Sequence, residues 1–298
     1  MLDASRISAA HYYDHLPPPA HRCGDIWINL PTFGLLGRGR TSGIVITPAC
    51  DLSNHKTETV TYIPIISVRS YFSTRAALPL LKERIVGQIQ TGGFDPQVDW
   101  GEYEFFPPTQ QAVERAIQSL NQFLSSGQRG QKEISSVERA ISGLRLVMEI
   151  IGGEIHDVPE ADMAKLFGAE WEKLLRRILT NAFSSNLHFL PSDGQDHAFS
   201  AVPSHSLVLF RYPISVPIEV LNLARDASER MWPEIVAEHK GVIPTLEYFE
   251  GLFPIKVSCL KTHFLADILC RFIAVYNQVG SPDFTKESIS KMIAEVRG

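Results

Sequence analysis

The sequence lacks the short motifs by which the commonest enzyme classes are recognised. It contains no Walker phosphate loop, no dinucleotide-binding GxGxxG, no HExxH zinc signature and no GxSxG nucleophile elbow. These absences remove the common nucleotide hydrolases, dehydrogenases, zinc proteases and serine hydrolases from the leading candidates for its function.

Cysteine is scarce, and long apolar runs are missing. No apolar run approaches the ~20 residues that a membrane-spanning helix needs. The first sixteen residues, MLDASRISAAHYYDHL, have no apolar core of a secretory signal and carry two acids. The cysteines form no CxxC pair, and their scatter favours reduced thiols over a disulfide framework. We therefore expect a cytoplasmic protein with no membrane segment. The four cysteines are Cys23, Cys50, Cys259 and Cys270.

The chain as a whole also lacks a positive net charge. The net charge is −5, which argues against tight, indiscriminate binding of nucleic acid by the entire surface. The distribution is uneven, because residues 22–94 carry eight Lys or Arg against four acids, so that this segment is +4 and the remainder −9. A basic segment on an acidic body is compatible with a phosphate-bearing ligand near that segment, and equally compatible with chance.

The chain has an ordinary globular composition and one tract in which strand-like runs and turns alternate. With 44% hydrophobic residues, its 298 residues are enough for one large domain or two or three small ones. In the tract 24–68, β-prone runs at 25–30, 43–47 and 59–68 are separated by a glycine-rich loop and a polar turn. Short strands at this spacing predict a small, strongly bent barrel.

This tract resembles the MazF/PemK family of toxin endoribonucleases. Gly24-Asp25-Ile26-Trp27 opens the first strand, and a loop with glycine and arginine, a β-branched strand and a polar turn follow in order. The last strand then runs into Pro64-Ile65-Ile66-Ser67. The resemblance covers roughly 45 of the 298 residues. It departs from the family at two places: the loop arginine is usually followed by proline, whereas Arg40 precedes Thr41, and the catalytic threonine falls on Ser67.

The resemblance and the hydrophobic pattern together predict an α+β protein, a small SH3-like (MazF-like) β-barrel with a large α-helical appendage. The barrel is assigned to 1–108. Strand-like runs in 186–217 are too few for an independent sheet and are predicted to complete the barrel. Apolar stripes at helical spacing predict a helical insertion at 109–185 and a C-terminal helical region at 218–298.

Three local predictions accompany this architecture. The aromatic run 103–106 is predicted to form a further strand. Asp157 is predicted to cap a single helix that carries Phe167 and Ile178 on its inner face. The apolar helix 260–279 has so wide an apolar arc that we expect it to be nearly buried.

The first candidate site pairs a loop arginine, Arg40 or Arg38, with Ser67. RNA cleavage without a metal needs a deprotonated 2′-hydroxyl and stabilisation of the pentavalent phosphate, and arginine supplies the stabilisation through bidentate contacts. A neighbouring hydroxyl can orient groups or donate a hydrogen bond. The resemblance implies that Arg40 and Ser67 are the catalytic pair. The alternative is that both arginines are solvated loop charges and that Ser67 merely ends a strand.

The second candidate site is a ligand-binding cluster of Cys50, Asp51, His55 and Lys56, with which Arg38 is grouped as a further ligand-binding residue. A thiolate beside an imidazole is a nucleophile, and Cys, Asp and His are also metal ligands. Three ligands within six residues, with no fourth, are a weak metal pattern, and acids and amides are common in turns. We therefore expect no metal site and no cofactor.

Two functions are compatible with these residues and with the resemblance. In the first, a bacterial defence or regulatory protein uses a non-catalytic barrel to bind a partner protein or a nucleic acid such as single-stranded RNA. In the second, the chain is a metal-independent, sequence-selective endoribonuclease of toxin–antitoxin type. The first is favoured because about 200 residues lie beyond the barrel and because the sequence departs from the family around Arg40 and Ser67. A homodimer is a further expectation, since barrels of this family often dimerise.

Overall fold

The computed structural model of the chain describes residues 9–54, 56–127, 130–192, 202–277 and 285–297. It confirms a mixed helix-and-sheet protein. The strands are β1 (Tyr13–Asp14), β2 (Asp25–Pro31), β3 (Arg40–Val45), β4 (Thr59–Ser67), β5 (Leu187–Leu190), β6 (Ser206–Leu209), β7 (Ile214–Pro217) and β8 (Ile255–Leu260). The helices are α1 (Ala9–Tyr12), α2 (Ala49–Ser53), α3 (Val68–Tyr71), α4 (Leu78–Gly92), α5 (Gln110–Ser125), α6 (Gln131–Gly152), α7 (Glu160–Phe167), α8 (Glu170–Leu179), α9 (Ile218–Asp226), α10 (Trp232–His239), α11 (Thr262–Tyr276) and α12 (Lys286–Arg297).

The eight described strands form one antiparallel sheet in the order β1-β8-β2-β3-β4-β6-β5, and β7 also pairs with β4. Because β4 is nine residues long, its first half pairs with β7 and its last three residues pair with β6. The strands within 186–217 thus extend the N-terminal sheet. The sheet is open between its edge strands β1 and β5, so these strands do not confirm a closed barrel.

Strand β8 lies inside the sheet, although the region 218–298 was predicted to be helical. It pairs with β1 on one side and with β2 on the other. The helical prediction for this region is therefore wrong at 255–260. The register against β2 shifts between Ile26 and Trp27, and the buried positions of β8 do not alternate regularly as a result. In the sequence, by contrast, apolar Ile255, Val257 and Cys259 alternate with polar residues, and this two-residue period is typical of a strand.

A buried ion pair joins β8 to β2. Lys256 Nζ lies 3.2 Å from Asp25 Oδ2, and the two side chains are 8% and 0% exposed. The ammonium group also donates to the carbonyl oxygens of residues 18–20 at 2.7–3.2 Å. The backbone N–H of Arg22 donates to the same Asp25 oxygen at 2.8 Å. Burial raises the pKa of Asp25, and the charge of Lys256 opposes this rise.

Both faces of the sheet are covered. Neighbouring residues of a strand point to opposite faces, and accordingly Ile26 and Trp27 belong to different apolar cores. The core of Ile26 includes Ile268 of α11, and the core of Trp27 includes α9 and α10. Helices α3 to α8 form a third core with the inner faces of β5 and β6. The sheet is therefore the common support of three groups of helices.

Two apolar segments are more exposed than the sequence predicted. Of the side chains of α11, Ile268 alone is buried, and Ile273 and Tyr276 are 53% and 49% exposed. The prediction of a nearly buried helix is wrong because only one of its faces covers the sheet.

Residues 103–106 form a loop rather than a strand, with Tyr103 and Phe106 76% and 65% exposed. Aromatic content predicted a strand there, but no neighbouring strand in the described sheet pairs with it.

Gly43 of β3 permits a close approach between strands. A methyl group at Gly43 would lie 2.7 Å from Cδ2 of Tyr62 and 2.8 Å from Cδ1 of Leu30, both of which are buried. The Tyr62 ring cannot easily move aside, because its hydroxyl donates to the carbonyl oxygen of Pro31 at 2.6 Å.

We expect Gly43→Ala to lower the free energy of unfolding by about 1–3 kcal/mol through overpacking. The measurement is urea denaturation of the purified protein. Gly87→Ala in α4 is the matched control, because no atom lies within 4 Å of the added methyl group. It should raise the free energy of unfolding by about 0.5–1 kcal/mol, since alanine favours the helix. Equal effects of the two changes would contradict the close contact at Gly43.

A second prediction concerns His188 of β5. Burial lowers the pKa of His188 to about 4, and Asp267, whose Oδ2 lies 3.9 Å from His188 Nδ1, opposes this. In the unfolded chain the imidazole of His188 binds a proton near pH 6.5, whereas in the folded chain it binds one only near pH 4. Stability should therefore fall as the pH falls from about 6.5 to about 4, with about 2 kcal/mol lost between pH 7 and pH 5. Urea denaturation of His188→Gln at both pH values should show that this loss of stability is absent. An identical pH profile in the variant would show that His188 is not its source.

Candidate functional site

The pairing of β3 with β4 brings the first candidate residues together. The register joins Ser42 to Ile65 and Val45 to Tyr62. Because the strands are antiparallel, Arg40 at the start of β3 and Ser67 at the end of β4 lie at the same end of the pair. Both line a cleft of about 220 Å³, which we call the small cleft.

The small cleft is polar and contains one cation. Among the described residues that line it, Arg40 alone is charged, and no carboxylate of the described part of the chain lies within 4 Å of its guanidinium group. Arg40 Nη1 makes one long contact, 3.5 Å, to Asn29 Oδ1. Asn29 occupies the left-handed region at φ 59°, at the register shift between β2 and β3. Such backbone conformations are uncommon outside glycine and are enriched at functional sites. Hydroxyl groups complete the polar lining: Thr41, Ser42, Ser67, Ser70, Ser204 and Ser206.

The hydroxyl of Ser67 already has partners on both sides. Its Oγ accepts a hydrogen bond from the backbone N–H of Ser70 at 2.8 Å and so caps helix α3. It donates to Oδ1 of Asp157, and the Ser70 hydroxyl donates to the same oxygen at 2.7 Å. The Ser67 Oγ also lies 3.0 Å from the Ser70 Oγ, so its single hydrogen is used within the cluster of Ser67, Ser70 and Asp157. Ser67 holds the local structure together, in addition to ending β4.

Asp157 is the residue of this site that sequence reasoning placed elsewhere. It does not cap a helix, because α7 begins at Glu160 with Pro159 at its N-cap. The predicted single helix is also divided, since Gly168 separates α7 from α8 with φ 56°. The contact between Asp157 and Ser67 spans 90 residues. No local pattern in the sequence could signal it.

Arg38 does not belong to the small cleft. Its backbone carbonyl accepts from Ile155 N at 2.9 Å, and its Nη2 donates to the carbonyl oxygen of Gly152 at 3.0 Å. The guanidinium group also pairs with Glu154 at 3.8 Å. Arg38 thus attaches the glycine-rich loop to residues 152–155, and this leaves Arg40 as the arginine that faces the cleft.

The second candidate cluster lies at the other end of the β3–β4 pair. Residues 49–53, predicted to be part of a polar turn, form helix α2 between the two strands. The length of β3 places this helix ~17 Å from Arg40. Cys50 Sγ lies 3.4 Å from Oδ1 of Asp51, Lys56 is exposed, and His55 lies outside the described residues. Within the described ranges, no three His, Cys, Asp or Glu side chains are arranged to hold a metal ion.

A second and larger cleft was not predicted from the sequence. It has a volume of about 1340 Å³ and lies between α4, α8 and the turn at 210–213 that follows β6. We call it the large cleft. Lys82, Arg84, Arg177 and Arg211 are among its lining residues, and it shares no described residue with the small cleft. Its cations come from three separate parts of the chain, so no single stretch of sequence reveals it.

Comparison of the chain with protein-family models, with curated proteins and with solved structures found no match. None of the helices in the described part is long and apolar enough to cross a membrane. A functional interpretation must therefore come from the geometry and charge of the two clefts.

The role of Ser67 as a cap can be tested by its removal. Ser67→Ala should lower the free energy of unfolding by about 0.5–2 kcal/mol, because the Ser70 N–H loses its acceptor. Ser67→Thr keeps the acceptor and should retain most of the stability. Ser42→Ala is the matched control within the same cleft, since the Ser42 hydroxyl has no hydrogen bond among the described residues, and its effect should stay within about 0.5 kcal/mol. Urea denaturation measures all three; an unchanged Ser67→Ala would rule out the cap.

Proposed function

We propose that this chain is a non-catalytic binding module for single-stranded nucleic acid in a bacterial defence or regulatory system. The observation that carries this proposal is the contrast between Arg40 and Ser67. The guanidinium group of Arg40 is exposed and lacks a carboxylate partner among the described residues, whereas the Ser67 hydroxyl is occupied. The small cleft thus offers a free cation for binding and no free hydroxyl at Ser67 for catalysis.

The chemistry around Arg40 suits a phosphate group. A guanidinium group donates two parallel hydrogen bonds to phosphate oxygens, and its charge persists at every physiological pH. The hydroxyl groups of Ser42 and Ser204 line the same cleft and can donate to further oxygens. Contacts of this kind bind the backbone of a strand without reading its bases.

The surroundings of Ser67 argue against strand cleavage. A phosphorane needs hydrogen-bond donors directed at its oxygens, but the Ser67 hydroxyl is already hydrogen-bonded to Ser70 and Asp157. The Asp157 carboxylate is exposed beside the same cleft, and its negative charge would repel a phosphate placed against Ser67. Phosphate binding is therefore favoured on the Arg40 side of the cleft.

The proposal retains the resemblance of residues 24–68 to the MazF/PemK barrel. Its support is the antiparallel order β2-β3-β4 and the common position of Arg40 and Ser67 at one end of it. On this scaffold, the helices beyond the barrel would serve recognition rather than cleavage.

Metal-independent endoribonuclease activity is the second candidate, and one observation favours it. Arg40 and Ser67 line the same cleft, with Asp157 in contact with Ser67. In that mechanism, Asp157 would accept the proton of the 2′-hydroxyl and Arg40 would stabilise the charge of the phosphorane.

The test combines binding and cleavage in one experiment. A fluorescein-labelled single-stranded RNA is incubated with the full chain in EDTA, its anisotropy is followed, and its integrity is checked on a denaturing gel. We expect binding of intact RNA, and a rise of about tenfold in the dissociation constant for Arg40→Ala, as for loss of a hydrogen bond to a charged group. Arg38→Ala is the matched control from the same loop and should change it by less than about twofold.

Three outcomes would contradict the proposal in different ways. Discrete RNA fragments that disappear in Arg40→Ala and Asp157→Asn would establish the endoribonuclease. Equal affinity of the wild type and Arg40→Ala would remove the small cleft from binding. Absence of RNA binding, together with a protein that co-purifies stoichiometrically, would favour a partner protein as the ligand.

A further inference from the structure

The large cleft is too big for an ordinary small-molecule site. Its volume of about 1340 Å³ exceeds the ~300–1,000 Å³ typical of such sites. Residues of α4, of α8 and of the turn at 210–213 line it. A cleft of this volume can accommodate a segment of an extended chain.

The described lining of the large cleft carries unneutralised positive charge. Lys173 is paired with Glu170 at 3.4 Å. The other four cations have no carboxylate within 4 Å among the described residues, and two further acids, Glu83 and Glu104, line the cleft. The remaining balance is +2 in a chain whose net charge is −5. These four cations are Lys82, Arg84, Arg177 and Arg211.

Aromatic rings stand among these cations. Phe105 lines the cleft and is 42% exposed, and Phe183 and Tyr212 are half-buried at its wall. The Arg177 guanidinium lies 5.8 Å from the centre of the Phe183 ring. Burial raises the pKa of the Tyr212 hydroxyl, and the charges of Arg211 and Arg75 oppose this rise. A further cation, Arg75, which does not line the cleft, is therefore within electrostatic reach of the same ring.

We propose that the large cleft is the principal binding groove for single-stranded nucleic acid, with its arginines on the phosphates and its aromatic rings against the bases. This inference rests on the proposed function and adds a second, larger site to it. Helix α3 separates the two clefts, since Ser70 lines the small one and Tyr71 the large one. Both clefts therefore lie beside one helical turn.

The combination of charges and rings selects this ligand over an acidic peptide. An acidic peptide would satisfy the arginines but would leave Phe105 without a planar partner. Every nucleobase has a face that stacks on an aromatic ring, and grooves for single strands combine such rings with cations along the backbone. A duplex does not suit these rings, because its bases are already stacked on one another and cannot stack on aromatic side chains.

Charge reversal at two adjacent arginines of α8 tests whether the positive charge of the large cleft contributes to binding. Arg177 lines the cleft, whereas Arg176 does not and instead pairs with Glu172 at 3.5 Å. Binding of fluorescein-labelled oligouridine and oligothymidine, about 20 nucleotides long, is measured by anisotropy on the full chain. Arg177→Glu should raise the dissociation constant about tenfold at about 0.1 M salt, and Arg176→Glu less than about twofold. Arg211→Glu provides a second reversal on a separate element if the first variant does not fold.

The salt dependence gives an independent measure of the same contacts. With four cations engaged, the slope of log K against log salt should be about −3, and Arg177→Glu should reduce its magnitude by about 0.7.

The stacking is tested with two neighbouring phenylalanines. Phe105 lines the cleft, and Phe106 is 65% exposed and does not. Phe105→Ala should weaken binding at least about fivefold, and Phe106→Ala less than about twofold. Unfolding midpoints that match the wild type confirm that each variant is folded.

The outcomes separate this inference from the proposed function. Weakening by Arg40→Ala but not by Arg177→Glu, Arg211→Glu or Phe105→Ala would overturn the large cleft and leave the small one. Weakening by the large-cleft variants alone would support the large cleft and remove Arg40 from binding. Equal effects within each matched pair, displacement of the oligonucleotide by polyglutamate at equal charge, or no binding tighter than about 100 µM at low salt would overturn the inference.

Discussion

The buried contact between Lys256 and Asp25 joins β8 to β2, the strand that supplies Ile28 and Asn29 to the small cleft. Removing two charges from water costs several kcal/mol per ion, and this cost is offset only where hydrogen bonds satisfy the remaining polar atoms. Here three carbonyl oxygens and a carboxylate surround one ammonium group, whereas Oδ1 of Asp25 has no hydrogen-bond partner among the described residues. Strand β2 is bonded to β8 on one side and to β3 on the other. The ion pair therefore lies on the side of β2 opposite to the strand that carries Arg40.

The small cleft is a junction of three parts of the chain. Strands β2 to β4 supply Asn29, Arg40 and Ser67, and residues 202–206 supply a wall. The connection between α6 and α7 supplies Ile155 to the lining and places Asp157 beside it, against Ser67. The helical layer is therefore not a separate appendage to the sheet, because its connecting loop is bonded to the end of β4. The same layer supplies α4 and α8 to the large cleft. Both sites require the sheet and the helices together.

The sequence predicted the features that depend on neighbouring residues. The β-prone runs identified β2, β3 and β4, although β3 begins at Arg40, which was predicted to lie in the preceding loop. The pairing of Arg40 with Ser67 was implied by the family resemblance, and the two residues line one cleft. Strand β8 was missed although Ile255 and Val257 alternate with polar neighbours, because the apolar residues that follow it predicted a helical region. The sequence failed where distant residues decide the structure: Asp157 has a local pattern typical of a cap, although its partner lies on β4. The large cleft was missed because its cations are dispersed along the chain.

The insertion of β8 between β1 and β2 has a consequence for biosynthesis. Roughly 220 residues separate the end of β2 from the start of β8. At about 5–20 residues per second, a ribosome needs about 10 to 45 seconds to polymerise that stretch. Throughout this interval β8 is absent, so one edge of β2 is unpaired and Asp25 lacks Lys256 as its counter-ion. The eight-stranded sheet can be completed only after residue 260 has left the exit tunnel. The speed of translation and the protection of this edge by a chaperone should thus affect the yield of native protein.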